Sequence, residues 1–267
     1  HAYRDAHLMP VTFIQSGRFG GVSYDSDAEA YFARLGTQPD ATRKGHISTF
    51  IAGLKTDSLW TRFDVLWCPA AVDVETDALL NLKSSSFTLT RVNSPTFTAS
   101  RGFAGNGSTS YLDTGWDGGT NGSQFAQNSA HASVYVNATA SDTEDSNRLV
   151  FGGLAGVGGT TVGTWRSYDS LGSRINNTSI ISYGSTITTR LGLTTLVRTS
   201  STATRAYRGA TSIGTGTPTS VARATTDFTI GGVSGGTASL TDERVAFASL
   251  GSEMDATQMS NLSSRVT

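Results

Sequence analysis

Beyond Leu82 the polypeptide alternates. Phe87-Thr-Leu89-Thr, Phe97-Thr-Ala99 and Ser133-Val-Tyr-Val-Asn137 each place an apolar side chain at every second position, the period of a strand with one buried face. Clusters of Asn, Gly, Asp and Ser separate these segments, as turns require. Arg148 to Phe151, Val162 to Tyr168, Ser179 to Tyr183, Leu191 to Arg198, Thr204 to Tyr207, Asp227 to Ile230 and Arg244 to Leu250 share the texture. About ten short strands in succession fold as a sandwich or barrel. The absence of a fixed-period repeat disfavours a propeller or solenoid. Two packed antiparallel sheets fit the pattern best.

The first third reads differently. Ser26-Asp-Ala-Glu29 has capping-box spacing ahead of Ala30, Tyr31, Ala33 and Leu35, with Gly36 as a stop, which predicts a short helix. A second helix is expected from Pro39, carrying Ile47, Phe50, Ile51 and Leu54 on one face before Lys55. A third is expected from Ser58 to about Cys68, gathering Leu59, Phe63, Leu66 and Trp67, with Pro69 as its limit. At the far end Asp255-Ala-Thr-Gln-Met-Ser-Asn-Leu regains helical spacing through Met259 and Leu262. Residues 1–24 mix Tyr3, Phe13, Phe19 and Tyr24 with glycine without a period, and the first residue is not methionine, so a preceding segment is expected in the natural protein. The expected organisation is a helical and irregular lead-in over 1–83 and a β-sandwich over 84–267, within a chain of 267 residues.

Composition narrows the function classes. Apolar residues make up 37% and charged residues 15%, which excludes charge-dominated disorder and a coiled coil. A formal charge of −1 removes the simplest electrostatic case for nucleic acid or an anionic membrane. No apolar stretch approaches the roughly 18 residues of a membrane span, so the chain reads as soluble. With Cys68 the only cysteine, neither an intrachain disulfide nor a thiolate zinc site can form from this chain alone. The lysines are Lys44, Lys55 and Lys83, which excludes a P-loop among the glycines around 152–163.

Catalytic motifs fail for want of partners. Gly232-Val-Ser234-Gly-Gly236 matches a nucleophile elbow, but no histidine follows it; the last is His131. The histidines at 1, 7, 46 and 131 lack paired zinc-ligand spacing, although a terminal His1 could chelate copper if its amine were free. The five glutamates, at 29, 75, 144, 243 and 253, form no Glu-x-Asp-x-x-Glu strand of the jelly-roll glucanase type. Asp142, Glu144 and Asp145 make an acidic loop without EF-hand signals, and Asp113 and Asp117 flank a glycine-rich turn. No catalytic residue, cofactor or metal ligand is assigned. Aromatic rings beside guanidinium or amide donors can stack on sugars, and Trp116, Trp165, Arg166 and Tyr168 are the candidates for carbohydrate contact.

Gly102-Phe-Ala-Gly-Asn-Gly-Ser-Thr-Ser-Tyr-Leu-Asp-Thr114 and Asn128-Ser-Ala-His-Ala-Ser-Val-Tyr135 resemble the opening strands of concanavalin A-like, laminin-G-type domains of phage virion proteins. Arg198 to Gly209, Phe228-Thr-Ile-Gly-Gly232 and Arg244-Val-Ala-Phe-Ala-Ser-Leu-Gly251 resemble the later strands of that family. Asp27-Ala-Glu-Ala-Tyr-Phe and Phe50-Ile-Ala-Gly-Leu-Lys-x-Asp-x-Leu-Trp60 resemble the helical lead-in of tail- and head-fibre proteins. The resemblance spans roughly residues 25 to 265. It implies a mainly β, concanavalin A-like antiparallel jelly-roll sandwich on the surface of a phage particle, closed by a C-terminal helix. It also implies a non-enzymatic tail-fibre or surface-fibre protein that binds a bacterial surface glycan through loops. Its partners would be other virion proteins, met through residues 1–83, and further copies of itself, as a trimer; nucleic acid and membrane are not among them. A structural decoration or assembly role is the first alternative. A polysaccharide-degrading enzyme, with Tyr168 and Arg166 as a lyase pair, is the second.

Overall fold

The computed structural model describes residues 23–139, 148–155, 158–164, 171–184, 189–233 and 239–267. Helix α1 (Ser26–Phe32) opens at Asp25, whose carboxylate accepts from the Asp27 amide. Helix α2 (Ala41–Thr56) opens at Asp40, which accepts from the Arg43 amide. Each cap satisfies one of the amides that a helix start leaves open. α2 buries Ile47, Ile51 and Leu54, the stripe expected from their spacing. Lys55 reaches back to Asp25 at 2.6 Å and ties the end of α2 to the start of α1.

The third expected helix is absent. Ser58 takes a left-handed φ of 57° and breaks the chain away from α2. A 3₁₀ turn at Trp60–Arg62 leads into strand β1 (Phe63–Trp67). Phe63, Leu66 and Trp67 suit a helical stripe, but Phe63, Val65 and Trp67 also alternate around polar Asp64, and pairing with a distant strand decides between the periods. Asp64 accepts three successive backbone amides, from Ser123, Gln124 and Phe125, which fixes its strand against a remote loop.

A short helix α3 (Glu75–Ala78) precedes strands β2 (Thr90–Val92), β3 (Thr96–Thr98), β4 (Gly102–Ala104) and β5 (Tyr111–Asp113). The strand expected at Phe87 starts late. Phe87 sits at a φ of 60°, and its carbonyl receives the Trp67 indole N–H at 2.8 Å instead of a ladder bond. Then come β6 (Ala130–Ala138), β7 (Arg148–Ala155), β8 (Gly158–Thr164), β9 (Leu171–Asn177) and β10 (Ile181–Tyr183). β11 (Gly192–Arg198), β12 (Thr204–Arg208), β13 (Thr211–Gly216), β14 (Thr229–Ile230) and β15 (Arg244–Gly251) complete the sheets, and α4 (Ala256–Val266) closes the chain.

The strands form the expected antiparallel sandwich. Among the described residues one sheet has eight strands, ordered β13-β12-β11-β6-β15-β4-β3 with β1 added to β15, and the other has seven, ordered β10-β9-β8-β7-β14-β5-β2. β15 uses one edge for β6 and shares the other between β4 at Arg244 and Val245 and β1 from Ala248 to Gly251. β1 lies within the expected lead-in over 1–83 yet pairs with a strand near the end of the chain. β1 is a strand of the sandwich, and Tyr31, Ile51, Trp67 and Leu250 belong to one continuous core. Arg34 on the first loop donates to the carbonyls of Asn81, Leu82 and Ser84, fastening the segment on either side of Lys83.

Candidate functional site

Trp116 does not stand at the surface. It is fully buried in a cluster with Phe125 and Phe228, ring centroids 5.5 and 5.3 Å away and nearly edge-on. Phe151 extends the cluster at 5.4 Å from Phe228. The backbone of Trp116 is equally enclosed: its carbonyl accepts from the Phe228 amide, and its amide donates to Thr114 Oγ1. Trp116, a candidate for carbohydrate contact, therefore presents no face to a sugar in this structure. The glycine-rich turn lets the chain double back so that the largest side chain can enter the core. Trp165, Arg166 and Tyr168 lie outside the described residues, as do Ser234 and the acidic loop at 142–145.

The clefts lie elsewhere, on the helix-covered side of the eight-stranded sheet. Alternation along β6 puts His131, Ser133, Tyr135 and Asn137 on one face. Register pairs Tyr135 with Phe247 of β15 and with Leu193 of β11. α2 and the end of α4 lie over this face and leave a cavity of about 460 Å³, with Phe50, Arg101, Tyr135, Asn137, Leu191 and Arg265 in its wall. A smaller extension of about 230 Å³ shares Phe50, Cys68 and Arg265 and continues to His46. Burial pushes the Cys68 thiol up to about 12, which disfavours its thiolate.

Each polar group in this wall is placed by a specific device. Arg101 sits on the turn between β3 and β4, where Asn137 Nδ2 donates to its carbonyl at 2.8 Å. Ser100 pins the same turn from the other side, donating its amide to Val72 and receiving Arg43 on its hydroxyl. Gly102 is obligatory next to them: at a φ of 104° an added Cβ would meet the Val245 carbonyl oxygen at 2.0 Å. Arg265 lies flat across α2 at Gly53, where an added Cβ would fall 2.5 Å from its Cζ, and donates to Asp57 at 2.9 Å. Asn137 Oδ1 is buried without a hydrogen-bond donor.

Two adjoining clefts, of about 380 and 330 Å³, meet at Thr199, Met254 and Asp255 beside the start of α4. They carry both signs of charge, from Arg62 and Arg205 and from Glu253 and Asp255. Just before β14, an interior strand of the seven-stranded sheet, Asp227 has its carboxyl pushed up by burial, then by the charges of Asp113 and Asp117. Asp117 is already occupied by the Thr120 amide and the Asn121 side chain. Among the described residues no group of three or more His, Cys, Asp or Glu side chains could hold a metal ion.

No family model and no curated protein matches this chain. Solved structures do. Domain 4 of a GH43 extracellular arabinanase from Geobacillus stearothermophilus, in complex with arabinotriose, aligns over 76% of this chain and 98% of its own, with a TM-score of 0.54 and 14% identity. A mutant Trypanosoma rangeli sialidase with trans-sialidase activity aligns over 85% of this chain at a TM-score of 0.55 and 12% identity. The botulinum neurotoxin serotype D binding domain aligns over 78% at a TM-score of 0.56 and 8% identity. The chain spans 40% of that sialidase and 52% of the toxin domain. At these identities the likeness is one of fold: a mainly β, two-sheet antiparallel sandwich.

Proposed function

We propose that this chain is a non-enzymatic carbohydrate-binding β-sandwich, displayed on a phage virion to engage a bacterial surface glycan. The observation that carries the reading is the cleft between α2, α4 and the sheet. It offers two aromatic rings, Phe50 and Tyr135, beside guanidinium and amide groups, the combination that holds a sugar's apolar face and its hydroxyls together. The fold supports it, since the arabinanase domain, of which this chain covers 98%, was solved with arabinotriose bound. The virion setting rests on the sequence resemblance, as do trimer formation and docking on other virion proteins through the lead-in. A trimer would multiply weak single-site contacts into useful avidity.

A glycan array probed with the full chain tests the reading. Binding to a restricted set of glycans, reduced by Tyr135→Ala, is the expected result. A silent array, or release of reducing ends from a bound polysaccharide, would overturn it.

A further inference from the structure

We infer that the cleft between α2, α4 and the sheet takes a carboxylated sugar, with Arg101 as the residue that meets the carboxylate. This deepens the carbohydrate-binding reading and rests on it. Among the described residues the charge of the wall is one-sided: Arg101 and Arg265 line the cavity and His46 lines its extension, and no described Asp or Glu lines either. In a chain of formal charge −1 such a patch is a local departure from the average. The two arginines are not equivalent, because Arg265 is held by Asp57 at 2.9 Å. Arg101 is exposed, and among the described residues no carboxylate pairs with it; its planar fork can take a carboxylate through two parallel hydrogen bonds.

Two further features define the rest of the ligand. Asn137 Oδ1 is a buried acceptor without a donor, a state that costs stability unless something supplies a hydrogen; a sugar hydroxyl would. Tyr135 and Phe50 are only partly buried, and Leu191 is 41% exposed, so an apolar ring face has somewhere to lie. Carboxylate, hydroxyl and apolar ring face together describe an acidic pyranose. The turn carrying Arg101 is fastened from both sides, through Asn137 and through Ser100, so the site is formed before the ligand arrives.

The test is isothermal titration of the full chain with two matched pairs: trigalacturonic acid against its carboxyl-reduced form, and sialyllactose against lactose. The expected result is at least about tenfold tighter binding of one carboxylated member, weakening as salt rises. Arg101→Gln should abolish that preference and Arg101→Lys should restore part of it, with the far-ultraviolet circular dichroism unchanged. Equal binding within both pairs, or a preference that survives Arg101→Gln, overturns the inference and leaves glycan binding standing. If neither pair binds while an array shows neutral ligands, the inference again fails alone. If the array is silent as well, both fall.

Discussion

His131 makes a prediction about acid stability that can be worked from its surroundings. Its ring is fully buried, 5.4 Å from the Phe63 ring, with Nδ1 at 2.6 Å from the Ser252 carbonyl oxygen and Nε2 at 3.2 Å from Ser249 Oγ. A carbonyl oxygen only accepts, so Nδ1 carries a hydrogen, and in the neutral ring Nε2 accepts from the serine hydroxyl. Burial, then the bond to Ser252, then the nearby Arg62 charge act on it, and the net effect lowers its pKa from 6.5 to about 4. A group depressed on folding contributes stability above its unfolded pKa, and that contribution is lost as pH falls toward the folded value. For these two pKa values the loss relative to neutral pH is about 2 kcal/mol at about pH 5 and about 3 kcal/mol at about pH 4. Other groups titrate in the same range, so a difference measurement is required. His131→Asn keeps a donor for Ser252 but cannot take a proton. Urea unfolding of both proteins across this range should show the stability gap between them shrinking or reversing in acid by about 3 kcal/mol. A gap that stays constant with pH would refute the argument that His131 is buried neutral.

Four further substitutions follow from the structure. Trp116→Ala should cost about 3 to 5 kcal/mol by emptying the space among Phe125 and Phe228. Trp116→Phe should cost much less, because the indole nitrogen it removes makes no hydrogen bond; chemical denaturation distinguishes the two. Asp255→Ala removes the capping box shared with Gln258 and should cost about 1 kcal/mol in thermal unfolding, without change in glycan binding at the distant end of α4. Gly53→Ala should lift Arg265 from α2 and break its contact with Asp57, visible as lost protection of α4 in hydrogen exchange.

The readable parts of this chain were those with local causes. α1, α2 and α4 begin close to where Ser26, Pro39 and Asp255 point, although the acceptors that cap α1 and α2 are Asp25, one residue before Ser26, and Asp40, one residue after Pro39. Alternation found β6, β11, β12 and β15 because each has a side that enters the core. β9 was hidden: Leu-Gly-Ser-Arg-Ile-Asn-Asn has no alternation, and it is held by buried polar bonds such as Ser173 Oγ to Gly163 and Asn176 to Ala126. β1 was misread because its apolar residues satisfy two periods, and only its pairing with β15 chooses.

Trp116 was misread for a related reason. A turn states where the backbone bends, not where a large side chain goes, and Phe228, one of the rings that enclose it, is remote in sequence. The cleft joins Arg101, Tyr135, Asn137 and Arg265 from three separate stretches, so no spacing announces it. One signal was available. In Ser133-Val-Tyr-Val-Asn137 the alternation that buries Val134 and Val136 sends Tyr135 and Asn137 to the opposite face together.

Locating a bound oligosaccharide in a crystal of the full chain, grown with the strongest ligand from the array, tests the central claim most directly. The account predicts a sugar ring against Tyr135 with Arg101 and Asn137 Oδ1 within hydrogen-bonding distance. A sugar seated in the clefts beside Thr199 and Met254, or on the seven-stranded sheet, with the Tyr135 cleft empty, would contradict it.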